Sequence, residues 1–156
     1  MRFALAAGVL AAVVRLAVAA PLGAGDALPP ITGMDQHDKP IAVDAHTRVV
    51  LVTRDMDGGA LVREALATDG AQRLADAHAV YVADVSRMPT LVLNFFALPK
   101  LRDRPYPILL DREGTVTRDL PGTDGAATVL LIEGGKIGRV TEARSMDEVR
   151  AALAAH

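Results

Sequence analysis

The chain contains no cysteine and no tryptophan. Without cysteine there is no thiolate, which excludes thiol peroxidase, dithiol reductase, disulfide and thiolate–metal chemistry. Aromatic residues are scarce: Tyr81, Tyr106, Phe3, Phe95 and Phe96. So few rings do not build a stacking platform for nucleic-acid bases. A formal charge of −2 and a pI near 6.1 also lack the basic footprint of a nucleic-acid binder. Serine is limited to Ser86 and Ser145, both placed to start helices, so serine-based nucleophilic chemistry is poorly supported. The histidines, His37, His46, His78 and His156, are scattered, with none of the pairings of a zinc site. Neither G-x-G-x-x-G nor a P-loop occurs, so nucleotides and flavins have no recognisable cradle.

At 156 residues the chain fits one domain with an amino-terminal appendage. A domain of this size buries roughly two-thirds of its surface, so it needs no covalent staple. The appendage has the grammar of an export signal: basic Met1-Arg2, an apolar run from Phe3 to Val14, and an A-x-A pattern at Ala17-Val18-Ala19. The run is shorter than the roughly 20 residues of an ordinary membrane span. Arg15 departs from the pattern, and the alternative reading is an uncleaved anchor. No cysteine follows, which excludes a lipoprotein. Cleavage before Ala20 removes Arg2 and Arg15 and leaves 15 basic against 19 acidic residues, a charge of −4. The expected destination is a bacterial periplasm or the exterior, where disulfides are permitted, so their absence is not imposed by a reducing compartment. After cleavage no membrane association is expected.

Pro21 to Pro30 is rich in Gly, Ala and Pro and reads as a linker or extended lead-in. Ile31–Asp35 and Pro40–Val43 read as short strands about a Gln36–Lys39 turn, an edge hairpin. Val49-Val50-Leu51-Val52 is continuously apolar, as a strand covered on both faces should be. The polar turn Arg54-Asp55-Met56-Asp57-Gly58-Gly59 follows, then helical spacing at Leu61, Val62, Ala65 and Leu66. Asp69-Gly70 marks a break, and Ala71–Ala77 continues as a second helix. Ala79–Val85 is the next strand. Ser86-Arg87-Met88-Pro89 then starts a helix, since proline suits a first turn. The stripe Leu91, Val92, Phe95, Phe96 and Leu98 is expected to face the core. Pro99 ends the helix and 100–104 forms a loop.

A third core strand is expected at Ile108–Asp111, then a short helix or irregular crossover over Thr115–Leu120. Thr128–Ile132 and Lys136–Val140 flank Glu133-Gly134-Gly135 as a hairpin. A capping box, Ser145 with Glu148, opens the last helix. Helices alternating with buried strands imply a partly parallel sheet, and the hairpin adds antiparallel strands.

These elements, in this order from Gly25 to Ala155, resemble the thioredoxin-like superfamily, nearest to its exported peroxiredoxin-like and thiol–disulfide-interchange branch. Four stretches carry the resemblance. Gly25-Asp26-Ala27-Leu28-Pro29 with His37-Asp38-Lys39 is similar to the branch's lead-in. Val49–Gly59 is similar to the strand and turn that bear the active cysteine. Tyr106–Gly114 is similar to the strand and Asp-x-x-Gly turn, and Gly125-Ala126-Ala127-Thr128 to the Gly-x-Pro-Thr end piece. The resemblance implies an α/β, three-layer fold with a mixed central sheet, an N-terminal hairpin and a C-terminal ββα unit. The chain then divides into residues 1–19 as signal peptide, 20–30 as linker and 31–156 as a thioredoxin-like domain.

Both redox positions are altered. The turn that would hold cysteine reads Asp55-Met56-Asp57-Gly58, and Ala127 replaces the cis-proline before Thr128. A non-proline cis bond costs roughly 3 kcal/mol, so a trans peptide is expected at Ala127. Scaffold without thiol chemistry points to an exported binding or accessory module with an unknown protein or small-molecule partner. Relatives bind substrates at the surface that corresponds to Arg54, Asp55, Met56, Asp57, Ala127 and Thr128. One alternative is an oxidoreductase with a bound cofactor such as flavin, and a weaker one is a hydrolase using Asp55 and Asp57 as a carboxylate pair. Structurally, Asp57 is expected to be the helix N-cap, with both carboxylates favoured by the positive helix end. No catalytic, metal or cofactor-binding residue is assigned, and no cofactor is predicted.

Overall fold

Val49–Thr53 forms the central strand, β3, and all five residues are buried. Two short strands precede it, β1 (Thr32–Met34) and β2 (Pro40–Ala42). Four follow: β4 (Ala79–Asp84), β5 (Leu109–Asp111), β6 (Ala127–Glu133) and β7 (Lys136–Ala143). The computed structural model describes residues 20–155, so the expected signal peptide lies outside the described residues. The five later strands make one sheet in the order β5-β4-β3-β6-β7. β3 and β4, and β4 and β5, run parallel, while β6 is antiparallel to both β3 and β7.

The helices are α1 (Met56–Ala65), α2 (Gly70–Asp76) and α5 (Met146–Ala154), with a composite segment after β4. That segment is α3 (Thr90–Val92), a π-helical turn (Leu93–Ala97) and α4 (Leu98–Arg102). The pleat of β3 divides the core. Val49 and Leu51 join Val62 of α1, Leu66 just beyond its end, Leu74 of α2, Leu93, Leu98, and Val149 and Leu153 of α5. Val50 and Val52 join Ile31, Leu120, Leu130 and Ile137, with Leu22 and Leu28 packed against them. Each fully buried aliphatic side chain contributes about 1.5–3 kcal/mol, so both faces are needed. The helices therefore form one outer layer, while the hairpin, the lead-in and the 116–120 loop form the other.

Several boundaries depart from the sequence reading for identifiable reasons. Of the two readings of the 20–30 stretch, the extended lead-in is the one observed: Leu22 N–H donates to the Asp119 carbonyl, and Ala27 bridges to Lys136. Of the two forms expected for Thr115–Leu120, the irregular crossover is the one observed, a series of turns with no helix. The β1–β2 hairpin is a separate two-stranded sheet that meets the β5 edge at an Asp35–Leu109 bridge. Ser86–Met88 forms a turn, and the helix begins at Thr90 with extended Pro89 before it. Pro99 does not end the helix. It falls in the first turn of α4, directly after the π-helical turn Leu93–Ala97.

Candidate functional site

The turn between β3 and α1 stands at the carboxyl end of the central strand, where the corresponding turn of thioredoxin-like folds bears cysteine. β3 delivers Arg54 and Asp55 here because its last residue, Thr53, is fixed on both sides by Ala83 and Ala127. Asp55 is extended and caps α1; its Oδ1 accepts from Gly58 N–H at 2.8 Å. This corrects the expectation for Asp57, which lies two residues later, in the first turn of α1, and is exposed. The other oxygen of Asp55, Oδ2, accepts from Gly125 N–H at 2.6 Å. One carboxylate thus joins the start of α1 to the loop before β6.

The approach is close enough to need glycine. A Cβ on Gly58 would lie 2.3 Å from the Ala126 carbonyl oxygen. Ala127 and Thr128 are therefore interior residues, 0% and 1% exposed, and contribute no outer surface. Thr128 Oγ1 donates to the Glu142 carboxylate at 3.0 Å. Among the described residues no peptide is cis, as expected for Ala127.

Arg54 is also turned inward. Its Nη2 donates to the carbonyls of Thr117 at 2.5 Å and Leu120 at 2.6 Å, and Nη1 lies 3.9 Å from Asp84 Oδ2. Gly122 packs on the same guanidinium; a Cβ there would fall 2.3 Å from Nε, which is buried without a hydrogen-bond partner. Behind it, Thr117 Oγ1 lies 3.0 Å from Asp84 and 2.9 Å from Asp111, two aspartates in register at the ends of β4 and β5. Asp111 also accepts the Thr115 and Thr117 amides. At the rim, Arg87 binds Asp124 through both terminal nitrogens and donates to the Arg54 carbonyl at 2.6 Å. That bidentate pairing holds the Asp124 carboxyl below its ordinary range and raises the Arg87 guanidinium above its own.

The expected surface is therefore split. Arg54, Asp55, Ala127 and Thr128 face inward or are engaged by backbone, while Met56, 79% exposed, and Asp57 face outward. Each Asp55 oxygen accepts one backbone amide, whereas Asp57 is exposed. Sequence reasoning missed Asp84, Asp111, Thr117 and Gly122. The aspartates closing the β4 and β5 patterns were the only local signal. Further off, Gln36 was read as a turn residue. It is buried, with its amide bridging the Tyr106 carbonyl and the Ile108 N–H at 2.8 Å each.

Among the described residues, no group of three or more His, Asp or Glu is placed to hold a metal. None of the described helices is long and apolar enough to cross a membrane. No protein-family model matches the sequence, and no curated protein matches it. Solved structures do. The chain is similar to peroxidoxin BcpB of Mycobacterium tuberculosis, with 22% identity and a TM-score of 0.55 over 85% of this chain and 95% of that one. A putative protein disulfide isomerase from Bacteroides thetaiotaomicron is 16% identical with a TM-score of 0.57, covering 86% and 90%. A secreted Mycobacterium tuberculosis disulfide oxidoreductase, homologous to E. coli DsbE, is 14% identical with a TM-score of 0.53, covering 81% and 96%. At these identities the likeness establishes the fold. The chain has a thioredoxin-like fold, related in structure to thiol–disulfide oxidoreductases, and contains no cysteine.

Proposed function

We propose that this is an exported, cysteine-free thioredoxin-like protein that acts as a binding or accessory module without thiol chemistry. The observation that carries the reading is Asp55. At the turn where such a fold would place its reactive group, a carboxylate accepts two backbone amides, one from α1 and one from the loop before β6. The turn is rigidified, and its outward chemistry is reduced to Met56 and Asp57. Support for export comes from the amino-terminal pattern and from the secreted protein of like fold. In this reading residues 1–19 are the signal peptide and the exported chain begins at Ala20, a start that an intact mass measures directly. The partner meets the end of the sheet that presents Met56 and Asp57.

The test is a photo-crosslinking side chain at Met56 in cells that export the protein, with and without Asp57→Lys. A discrete adduct that Asp57→Lys removes supports the reading. Labelling no stronger than from the same side chain at exposed His46 overturns it, as does a cofactor absorption band in the purified protein.

A further inference from the structure

Tyr106 stands on the approach to β5 and is only 4% exposed. Its carbonyl accepts from the Gln36 amide at 2.8 Å. Its ring lies against Gly70 at the start of α2, where a Cβ would fall 2.9 Å from two ring carbons. Backbone and ring are thus fixed, and the phenol oxygen has no hydrogen-bond partner among the described residues. The side-chain atoms buried without a partner there are Nε of Arg54 and Nε of Arg73, so the Tyr106 oxygen, also unpartnered, opens to solvent. A buried ring that ends in a free O–H has a donor for which the fold supplies no acceptor.

Two guanidiniums flank this phenol. Arg104 and Arg63 are the cations that act on it, and no carboxylate does. Arg104 lies two residues before Tyr106, across Pro105, and Arg63 is in the last turn of α1. Leu66, a helical turn beyond Arg63, meets the same Gly70 Cβ position at 2.9 Å, which brings the end of α1 beside the ring. Neither arginine has an ion pair or a side-chain hydrogen bond among the described residues, whereas Arg102, close by in the chain, pairs with Asp38. Glu64, Asp69 and Asp103 adjoin these residues in sequence, yet none pairs with either guanidinium. Burial pushes the Tyr106 phenol up, over the opposing pull of Arg104 and Arg63, so it stays an O–H donor.

We propose that Tyr106, Arg63 and Arg104 form a binding site for a phosphoryl group, the phenol donating to one of its oxygens and the guanidiniums to the others. Donors without an acceptor, and two positive charges without a carboxylate, call for an oxyanion. Guanidinium forks match the oxygens of phosphate, and a phosphate close to its dianion offsets both arginines where a carboxylate offsets one. The site takes no residue from the β3–α1 turn, so it stands or falls apart from the reading of that turn.

Calorimetric titration of the full chain with inorganic phosphate, at constant ionic strength in sodium chloride, should show saturable binding. Tyr106→Phe removes the phenol oxygen and keeps the ring on Gly70; it should weaken binding by about fivefold. Arg63→Gln and Arg104→Gln should each weaken it by about tenfold. Arg63 is exposed, so its variant reads the site without disturbing the core. Arg48→Gln, at an exposed and likewise unpaired arginine before β3, should leave the affinity as it was. Methyl phosphate separates two sources of the group: affinity equal to that of inorganic phosphate assigns an ester, and much weaker binding assigns the free anion. Absence of saturable binding in the parent overturns the inference, as does an unchanged affinity in any of the three site variants. An equal loss in Arg48→Gln overturns it in favour of general charge attraction, and acetate binding as tightly as phosphate overturns it in favour of a carboxylate.

Discussion

The β3–α1 turn and the helical segment after β4 meet at one end of the sheet, joined by the Arg87 bond to the Arg54 carbonyl. They use their side chains in opposite ways. In the turn, charged groups point inward and are satisfied by backbone: Asp55 by two amides, Arg54 by two carbonyls. In the segment, apolar groups point outward and stand about two-thirds exposed. A polar turn at a helix start invites a catalytic reading, and an apolar helical stripe invites a core reading. The second invitation misleads here for Leu91, Val92, Phe95 and Phe96, because it judges a side chain by its type and not by what tertiary structure sets opposite it.

The turn's closure onto the loop before β6 is the side of this contrast most easily broken. Gly58→Val should cost about 3 kcal/mol or prevent folding, since the obstacle is the Ala126 carbonyl, which cannot rotate away as a side chain would. Neighbouring Gly59 has open space, so Gly59→Ala should stabilise by about 0.5 kcal/mol through the lower chain entropy of alanine. Urea unfolding midpoints compare the two, and equal midpoints would remove the close approach from the account.

A smaller effect separates the two aspartates. Asp55→Ala should lose about 2 kcal/mol, combining a helix cap with a hydrogen bond to Gly125. Asp57→Ala should lose about 0.5 kcal/mol, the favourable term of a carboxylate in a first helical turn. Thermal melts of the two variants, side by side, decide it; a larger loss at Asp57 would restore it as the cap.

The contrast sharpens least, but usefully, beneath the turn. Burial pushes the Tyr81 phenol up to about 12, against the help its hydrogen bond to Thr53 gives the ionised form. The unfolded chain releases this proton near pH 10 and the folded one only near 12, so the associated stability is complete below 10 and falls through that window. The loss should be on the order of 2 kcal/mol and should diminish in Tyr81→Phe. Denaturant titrations from pH 9 to about 12 measure it. A parent and variant that lose stability in parallel would assign the alkaline slope to other groups.

Much of the fold was legible in the sequence. The apolar run at Val49–Val52, the break at Asp69-Gly70, the Gly134-Gly135 hairpin and the Ser145–Glu148 box act through near neighbours, so local pattern is enough to find them. Ser145 does cap α5, accepting from Glu148 N–H at 3.2 Å, but the Glu148 carboxylate accepts from Arg144 N–H and not from the Ser145 amide that a capping box predicts. The candidate site was less legible because its bonds span long separations. Asp55 meets Gly125, Arg54 meets Thr117 and Leu120, and Gln36 meets Tyr106 and Ile108. Nothing within a helical turn of Asp55 distinguishes it from Asp57 as a cap. Phe95 and Phe96 failed for a related reason: two stripes fit the same segment, and only packing decides which one is covered.

By itself, then, the sequence determined that no thiol chemistry is available, that β3 is central, and that the elements follow a thioredoxin-like order. Composition suffices for the first and short-range periodicity for the second, while the third came from the resemblance of four stretches to that superfamily. Only the tertiary structure decided that the turn after β3 is closed by Asp55 onto the 125–126 loop, that Ala127 and Thr128 are interior, and that the phenylalanines face out. Those outcomes depend on which distant backbone groups arrive within hydrogen-bond or van der Waals distance. That is a property of how the layers are stacked, and no local run of residues encodes it.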